Sequence, residues 1–168
     1  MLRKLALKDI PYMLEWMHDL TINCHFRKNF SDITEEQVRR FVEHSYTDTD
    51  INFAFTDDDD EYKGTISLKN ISSLDKNAEY AIVTTKEAQG KNYAFRATIE
   101  ILQFAFEQLH LHKVYLNVLE TNERANRFYR KVGFIYEGTA KEQLFLNGTY
   151  QNLNWYGITE QQFKELYK

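Results

Sequence analysis

The alternation of hydrophobic and polar positions begins with a strand and a helix. Residues 1–7 read as a strand, and the apolar positions that follow share one helical face: Ile10, Met13, Leu14 and Met17. Asp9 stands where it can cap this helix, and Pro11 suits the first turn. A second helix is predicted from Thr34, because Thr34 and Gln37 have the spacing of a capping box.

The middle of the chain predicts three strands followed by a long helix. Residues 52–56 and 63–68 read as two strands joined by the acidic run DDDDE, residues 57–61. This run lacks the interleaved glycine of a calcium loop, so a solvated hairpin turn is favoured. Residues 77–84 are the next strand, and the helical spacing of apolar residues after them ends near Leu109.

The last third of the chain predicts a strand, a helix, a hairpin and a final helix. Residues 113–119 alternate as a strand, and the positions from about Glu123 form a short helix that Gly133 is placed to end. The pair at 147–148, Asn-Gly, is a tight-turn signal between two strands. Capping-box spacing recurs over residues 159–162, which predicts the final helix.

These elements and the composition predict one α/β (α+β) domain spanning residues 1–168. The unit over residues 77–119 should bring two parallel strands together, and the hairpins make the sheet mixed. A hydrophobic content of 43% supports a packed core, and a net charge of −4 argues against a general affinity for nucleic acid. No segment reaches membrane-spanning length, and Cys24 alone cannot form an internal disulfide, so a cytoplasmic location is expected.

Candidate chemistry centres on KEAQGKNYAFRAT, residues 86–98, where positive charge is added to a helix start that already carries positive potential. A loop that leaves a strand and opens a helix presents backbone N–H groups to phosphate oxygens. Gly90 permits close approach, and Asn92 tolerates a left-handed backbone. The alternatives are a phosphate-bearing ligand and a surface turn with incidental lysines. Neither GxxxxGK[ST] nor GxGxxG occurs, so the common nucleotide-binding fingerprints do not apply.

Two further segments make a family resemblance specific. QGKNYA, residues 89–94, resembles the pyrophosphate loop Q/R-x-x-G-x-G/A of the GNAT acetyltransferase superfamily, with Asn92 where the first glycine is usual. NVLETNERANRFYRKVGFIYEG, residues 117–138, is similar to the strand, N-x-x-A-x-x-x-Y helix and GF-x-x-x-G return of that family. Residues 142–158 resemble the branch of ribosomal-protein N-terminal, spermidine and amino-sugar acetyltransferases, although Asn152 stands where many members have aspartate.

The resemblance implies a mixed central sheet with helices on both faces and a splayed parallel strand pair. It implies acetyl-CoA as co-substrate and direct transfer, in a ternary complex, to a primary amine of a protein N-terminus, polyamine or amino sugar. Backbone groups of Ile82, Val83 and Thr84 would line the pantetheine slot, and Asn122 would bond the pantetheine arm. The loop amides that would hold the pyrophosphate are those of Gln89, Gly90, Lys91, Asn92, Tyr93 and Ala94.

Two residues are expected to act on the reacting groups. Tyr129 matches the family tyrosine that protonates the departing thiolate, although its helical position also fits simple core packing. Glu79 is the best-placed carboxylate by family position. It would either accept the proton of the amine, through water, or attract a cationic substrate. Its small apolar strand neighbours could raise its pKa and suit it as a base.

Other assignments are weaker and stay open. A non-catalytic acyl-CoA-binding sensor would keep the loop without needing Tyr129 or Glu79. Cys24, close in sequence to His18 and His25, could carry an acyl group, but a structural cysteine is favoured. A homodimer is left open.

Neither the histidines nor the segment between the first two helices adds a firm assignment. No metal is expected, since the two histidines at residues 110 and 112 lack ligand spacing and read as a loop entering a strand. Residues 15–30 would wall the acceptor cleft in relatives, and their Arg27 and Lys28 would suit an anionic nucleotide-sugar. A polyamine or a protein N-terminus fits the chain as well.

Overall fold

The computed structural model describes residues 1–24, 26 and 28–167. Within these residues the strands are β1 (Leu2–Lys4), β2 (Ile51–Thr56), β3 (Tyr62–Ser72), β4 (Asn77–Thr84), β5 (Lys113–Leu119), β6 (Ile135–Leu146) and β7 (Thr149–Thr159). The α-helices are α1 (Ile10–His18), α2 (Leu20–Asn23), α3 (Glu35–Glu43), α4 (Tyr93–Glu107), α5 (Glu123–Val132) and α6 (Glu160–Leu166). Short 3-10 turns at Leu7–Asp9 and Lys86–Ala88 precede α1 and α4.

The strands form one mixed sheet in the order β1-β2-β3-β4-β5-β7-β6. The β4–β5 pair is parallel, and the other neighbouring pairs are antiparallel. The prediction of a parallel pair joined through a helix, within a mixed sheet, is therefore confirmed.

The parallel pair separates after a short stretch of pairing. Asn77 pairs with Lys113 and Glu79 with Tyr115, and the register ends there although both strands continue. Beyond Glu79, β4 stays paired with β3 alone, as far as Thr84. The sheet therefore opens a wedge between β4 and β5, which confirms the expected splay.

Hydrophobic residues pack on both faces of the sheet. The larger cluster places α4, α5 and α6 against one face, with Ile101, Leu116 and Tyr156 almost fully buried. The smaller cluster joins α1 and α3 to β2 and β3 on the other face, with Met13 and Val38 at its centre. Among the described residues, this second cluster contains no residue of β5, β6 or β7.

The expected helix ends and turns form where the sequence places them, with one exception. The Thr34 and Thr159 side chains each accept the N–H three residues on, and Gly133 ends α5 in a left-handed conformation. Asp9, predicted to cap α1, does not. Its carboxylate accepts the N–H of Ala6 instead, and Arg3 holds both oxygens at 2.7 Å. An arginine fork competes better for the carboxylate than a free helix N–H does.

The acidic run over residues 57–61 forms the predicted turn, but ion pairs hold it rather than solvent alone. Lys63 Nζ lies 2.9 Å from Asp57 and 2.6 Å from Glu61. Asp60 is held by Arg3 and Lys8. The expected solvated hairpin turn between β2 and β3 is confirmed. The ion pairs from Arg3 and Lys8 were not predicted, because these two residues lie far from the turn in sequence. Among the described helices, none is long and apolar enough to cross a membrane.

Candidate active site

The start of α4 has the backbone shape that the loop motif requires. Gly90 has φ +78° and Asn92 has φ +65°, so both residues are left-handed. Asparagine thus takes the conformation for which the motif commonly uses glycine. A Cβ added at Gly90 would have nothing within 4 Å, so the space above the loop is open.

The N–H groups of this loop divide into two sets. Those of Gln89 and Lys91 are bonded within the turn, to Lys86 and Ala88, at 3.3 Å each. In the described part of the chain no oxygen accepts the N–H groups of Gly90, Asn92, Tyr93 and Ala94, and α4 has no side-chain cap. Four uncommitted donors at the positive end of a 15-residue helix fit a diphosphate.

The β4 residues predicted to line the pantetheine slot, Ile82 to Thr84, do not all face the wedge, because strand backbone groups point alternately to the two neighbouring strands. Thr85 donates its N–H to Lys63 on the β3 side. Counting back from it, the N–H of Val83 also faces β3, whereas those of Ile82 and Thr84 face the wedge. Ile82 and Thr84 therefore offer donors to a group lying between β4 and β5.

Asn122 lies at the start of α5. Its side-chain oxygen accepts the N–H of Ala125 at 3.1 Å and caps the helix. No described acceptor receives the Nδ2 protons of Asn122. The amide can therefore cap α5 and donate to a ligand at the same time.

The turn that carries Asn122 is fixed by a buried asparagine that sequence reasoning missed. Asn126 Nδ2 donates to the carbonyl oxygens of Leu119 and Asn122, at 3.0 and 2.8 Å. Its Oδ1 accepts from Asn154 Nδ2 at 3.0 Å and from the hydroxyl of Tyr156 at 2.8 Å. Asn126 thus joins the β5–α5 turn to β7. Its place on the buried face of α5, where an apolar residue would be usual, was the signal available in the sequence.

Tyr129 lies one helical turn further along α5, in an aromatic cluster. Its ring centroid is 6.0 Å from that of Tyr80, 5.9 Å from Phe134 and 6.2 Å from Tyr156. Burial raises the pKa of the Tyr129 phenol well above its ordinary value, so the hydroxyl stays protonated at neutral pH.

The hydroxyl groups of the three tyrosines differ in their partners. Tyr80 bonds Thr98 at 2.8 Å, and Tyr156 donates to Asn126. The hydroxyl of Tyr129 has no partner among the described residues. Every fully buried side-chain nitrogen or oxygen in that part of the chain does have one. The Tyr129 oxygen therefore reaches an accessible surface, where it can donate a proton.

Glu79 lies on the opposite face of the sheet, at the last pair before the wedge opens. Its two carboxylate oxygens accept from Asn70 Nδ2 at 3.0 Å and from Asn117 Nδ2 at 3.4 Å. In the described chain no lysine, arginine or histidine forms an ion pair with Glu79. A half-buried carboxylate held only by neutral amides keeps its charge available for a cation.

Aromatic rings that sequence reasoning did not assign extend this surface. Tyr115 stands opposite Glu79 in the β4–β5 register, and its ring centroid lies 6.1 Å from that of Trp155. Partial burial, and then the charge of Glu79, raise the pKa of the Tyr115 phenol. The alternation of β5 placed Tyr115 and Asn117 on one face, but only the pairing with β4 shows that Glu79 shares it.

The weaker candidates do not join this site. Cys24 is exposed just after α2, and its Sγ lies 3.8 Å from the carbonyl oxygen of Thr21. His112 leads into β5, as predicted. No group of three or more His, Cys, Asp or Glu within the described ranges could hold a metal ion. Lys28 lies over the ring of Phe30, while the predicted contributions of His25 and Arg27 fall outside the described residues.

Comparison with known proteins identifies this architecture. The family model for the acetyltransferase (GNAT) domain matches residues 1–135. Spermidine N(1)-acetyltransferase of Escherichia coli (strain K12) is 33% identical over 158 residues, covering 90% of this chain and 81% of that protein. A putative ribosomal N-acetyltransferase of Bacillus subtilis (strain 168) is 30% identical over 101 residues, covering 60% of this chain and 55% of that protein.

A solved structure extends the comparison to the whole fold. The crystal structure of spermidine N-acetyltransferase from Vibrio cholerae in complex with CoA and spermine superposes with a TM-score of 0.89 at 25% identity. The match covers 98% of this chain and 97% of that chain.

The matched family and the matched structure are both acetyltransferases, and this chain shares their fold, with a mixed sheet that opens between two parallel strands beside an uncapped helix start. The chain belongs to the GNAT acetyltransferase family. It is an N-acetyltransferase that moves an acetyl group from acetyl-CoA to a primary amine. The expected fold, co-substrate and activity are confirmed.

Proposed function

We propose that this enzyme acetylates a terminal amino group of an aliphatic polyamine. The observation that carries the proposal is the half-buried carboxylate of Glu79, which has no cationic partner among the described residues and lies where β4 and β5 separate. Relatives named spermidine acetyltransferases support the same substrate class.

The acceptor surface suits an alkylammonium better than an anionic sugar nucleotide. A second or third ammonium group of a polyamine can lie over the rings of Tyr115 and Trp155 while one amino group approaches Glu79. A nucleotide phosphate placed there would meet the charge of Glu79 instead. A peptide N-terminus also carries an ammonium group, but offers no second cation of its own for the rings.

The coenzyme would be held on the other side of the wedge. The uncommitted N–H groups of Gly90, Asn92, Tyr93 and Ala94 would bind the diphosphate, and Asn122 Nδ2 the pantetheine arm. Acetyl-CoA supplies the activated thioester. The N–H of Ile82 or Thr84 would donate to the thioester oxygen, a contribution of about 3 kcal/mol to barrier lowering where such donors are preorganised.

Tyr129 would supply the proton that the leaving sulfur needs. Its raised pKa keeps the proton on the phenol oxygen throughout the physiological range, and the oxygen has no competing partner among the described residues. A phenol so placed is a donor and not a base.

Glu79 has two candidate roles that the same geometry supports. As a base it would take the ammonium proton, through water, before the amine attacks. As an electrostatic anchor it would hold the ammonium group and leave the proton to solvent. The two roles predict different pH dependence, because only a base must be ionised for the chemical step.

An amine panel tests the proposal. Thiol release from acetyl-CoA would be followed with spermidine, spermine, peptides beginning with Ser or Ala, and amino sugars, and the kcat/KM values compared. We expect the polyamines to give the highest values. A peptide as the best acceptor would assign the enzyme to protein N-termini and overturn the proposal. Thermal stabilisation by acetyl-CoA without thiol release on any amine would point to the sensor.

A further inference from the structure

Arg124 links the two loops that flank the proposed coenzyme site. It lies in the first turn of α5, two residues after Asn122, and its Nη1 donates to the side-chain oxygen of Gln89 at 2.6 Å. Gln89 immediately precedes the open loop at Gly90. The hydrogen bond therefore spans the head of α4 and the head of α5, which are 35 residues apart along the chain.

Among the described residues, none neutralises the charge of Arg124. No carboxylate in the described part of the chain lies within ion-pair distance of its guanidinium. Arg127, one turn further along the same helix, pairs with Glu123 at 3.7 Å, and Arg39 pairs with Glu35 at 3.0 Å. Through Gln89, the charge of Arg124 is held beside the loop whose N–H groups are uncommitted.

We propose that Arg124 is a further coenzyme-binding residue, whose guanidinium contacts the diphosphate held by the loop at Gly90. The inference rests on the proposed function, because it takes that loop as the diphosphate site. Arginine presents a planar fork of donors that matches phosphate oxygens. The Gln89 oxygen holds the fork in place and releases it at lower cost than a carboxylate would.

A purely structural link between the two helix starts is the competing explanation. It predicts that loss of Arg124 weakens every ligand equally, or none, since no phosphate is involved. Coenzyme contact predicts a loss confined to ligands that carry the diphosphate. Ligand truncation separates the two, because phosphates can be removed from CoA without touching the protein.

The experiment measures dissociation constants by calorimetry for CoA, dephospho-CoA and pantetheine. The variants are Arg124→Gln, Arg124→Lys and, as the matched control, Arg127→Gln, since Arg127 is also an exposed arginine on the same helix. We expect Arg124→Gln to weaken CoA and dephospho-CoA about tenfold, the size of one exposed charge-assisted contact, and to leave pantetheine unchanged. Arg124→Lys should recover part of the loss, and Arg127→Gln should change nothing. The loss should shrink at high salt, because an exposed contact is screened.

Each other outcome overturns the inference in an identifiable way. An unchanged dissociation constant for CoA in Arg124→Gln rules out the contact. A loss for CoA that disappears with dephospho-CoA assigns the residue to the 3′-phosphate, not to the diphosphate. An equal loss with pantetheine assigns it to a structural link. Gly90→Val tests the loop separately: if it binds CoA as tightly as the wild type does, the proposed diphosphate site itself fails.

Discussion

Removing the hydroxyl group of Tyr129 tests whether this residue is a proton donor or only a packing side chain. Tyr129→Phe keeps the ring against Tyr80, Phe134 and Tyr156 and removes an oxygen that has no partner among the described residues. No protein hydrogen bond is lost, so the free energy of unfolding should change by less than about 0.5 kcal/mol. Turnover should fall by about 100-fold to 10,000-fold, the usual contribution of a general acid.

Tyr156→Phe is the matched control, because its ring belongs to the same cluster and is fully buried. Its hydroxyl donates to Asn126 at 2.8 Å, so its removal should cost about 1 kcal/mol. For a chain of this length that is a decrease of about 2–4 °C in melting temperature, with kcat close to that of the wild type.

The assay pairs thermal melting with steady-state thiol release at saturating acetyl-CoA. We expect opposite effects: Tyr129→Phe keeps its stability and loses activity, whereas Tyr156→Phe keeps its activity and loses stability. Unchanged turnover in Tyr129→Phe would refute the acid role. An equal loss of stability in both variants would show that the Tyr129 hydroxyl is bonded within the core and unavailable to a ligand.

Three further changes follow from the same geometry. Glu79→Gln should lower kcat/KM for a polyamine at least about tenfold. If Glu79 is the base, the pH–rate profile of the variant should lose its acidic limb. If Glu79 is an anchor, only KM should rise. Asn152→Asp should lower the melting temperature, because it replaces a donor 2.7 Å from a Glu120 oxygen by a second carboxylate. The free energy of unfolding should fall above pH 10 by about 4 kcal/mol per pH unit. Each of three buried tyrosines whose pKa is raised in the folded protein contributes about 1.4 kcal/mol of this slope: Tyr62, Tyr80 and Tyr129.

The sign of the alkaline effect follows from the direction of those shifts. A phenol whose pKa is raised by folding stays protonated in the native state while the unfolded chain ionises near pH 10. Its full contribution is therefore present below pH 10 and is lost as the pH rises toward the folded value. Melting between pH 9 and 11 measures the slope, and Tyr62→Phe should reduce it by about a third.

Results opposite to these would count against specific contacts. A pH slope unaffected by Tyr62→Phe would mean that its phenol is not buried in the native state. For the contact between Asn152 and Glu120, adding Glu120→Gln to Asn152→Asp should restore stability. If stability is not restored, the two side chains do not interact in the folded protein. For Glu79, an unaltered kcat/KM would remove it from the acceptor site.

Local patterns were sufficient for most elements of the fold. β4 and β5 occupy the predicted ranges because their alternation and their flanking breakers are both unambiguous. The capping boxes at Thr34 and Thr159 are formed by residues three apart, so the sequence contains both partners. α2, four residues long after the cap of Asp19, was not predicted, because so short a helix has no periodicity to detect.

Contacts between distant residues were beyond the sequence. The pairing of Arg3 with Asp9 and Asp60 required β1 to lie beside the acidic turn, and it removed Asp9 from its expected cap. The bond from Arg124 to Gln89 joins two loops that only the fold brings together. The loop motif itself was readable, since left-handed backbone at Asn92 is a local property of the residue.

The most direct test of the account is a crystal structure of the enzyme with CoA bound. We expect diphosphate oxygens at about 3 Å from the N–H groups of Gly90, Asn92, Tyr93 and Ala94, with the sulfur in the β4–β5 wedge near the Tyr129 hydroxyl. A coenzyme seated away from the start of α4, or a sulfur out of reach of Tyr129, would contradict it.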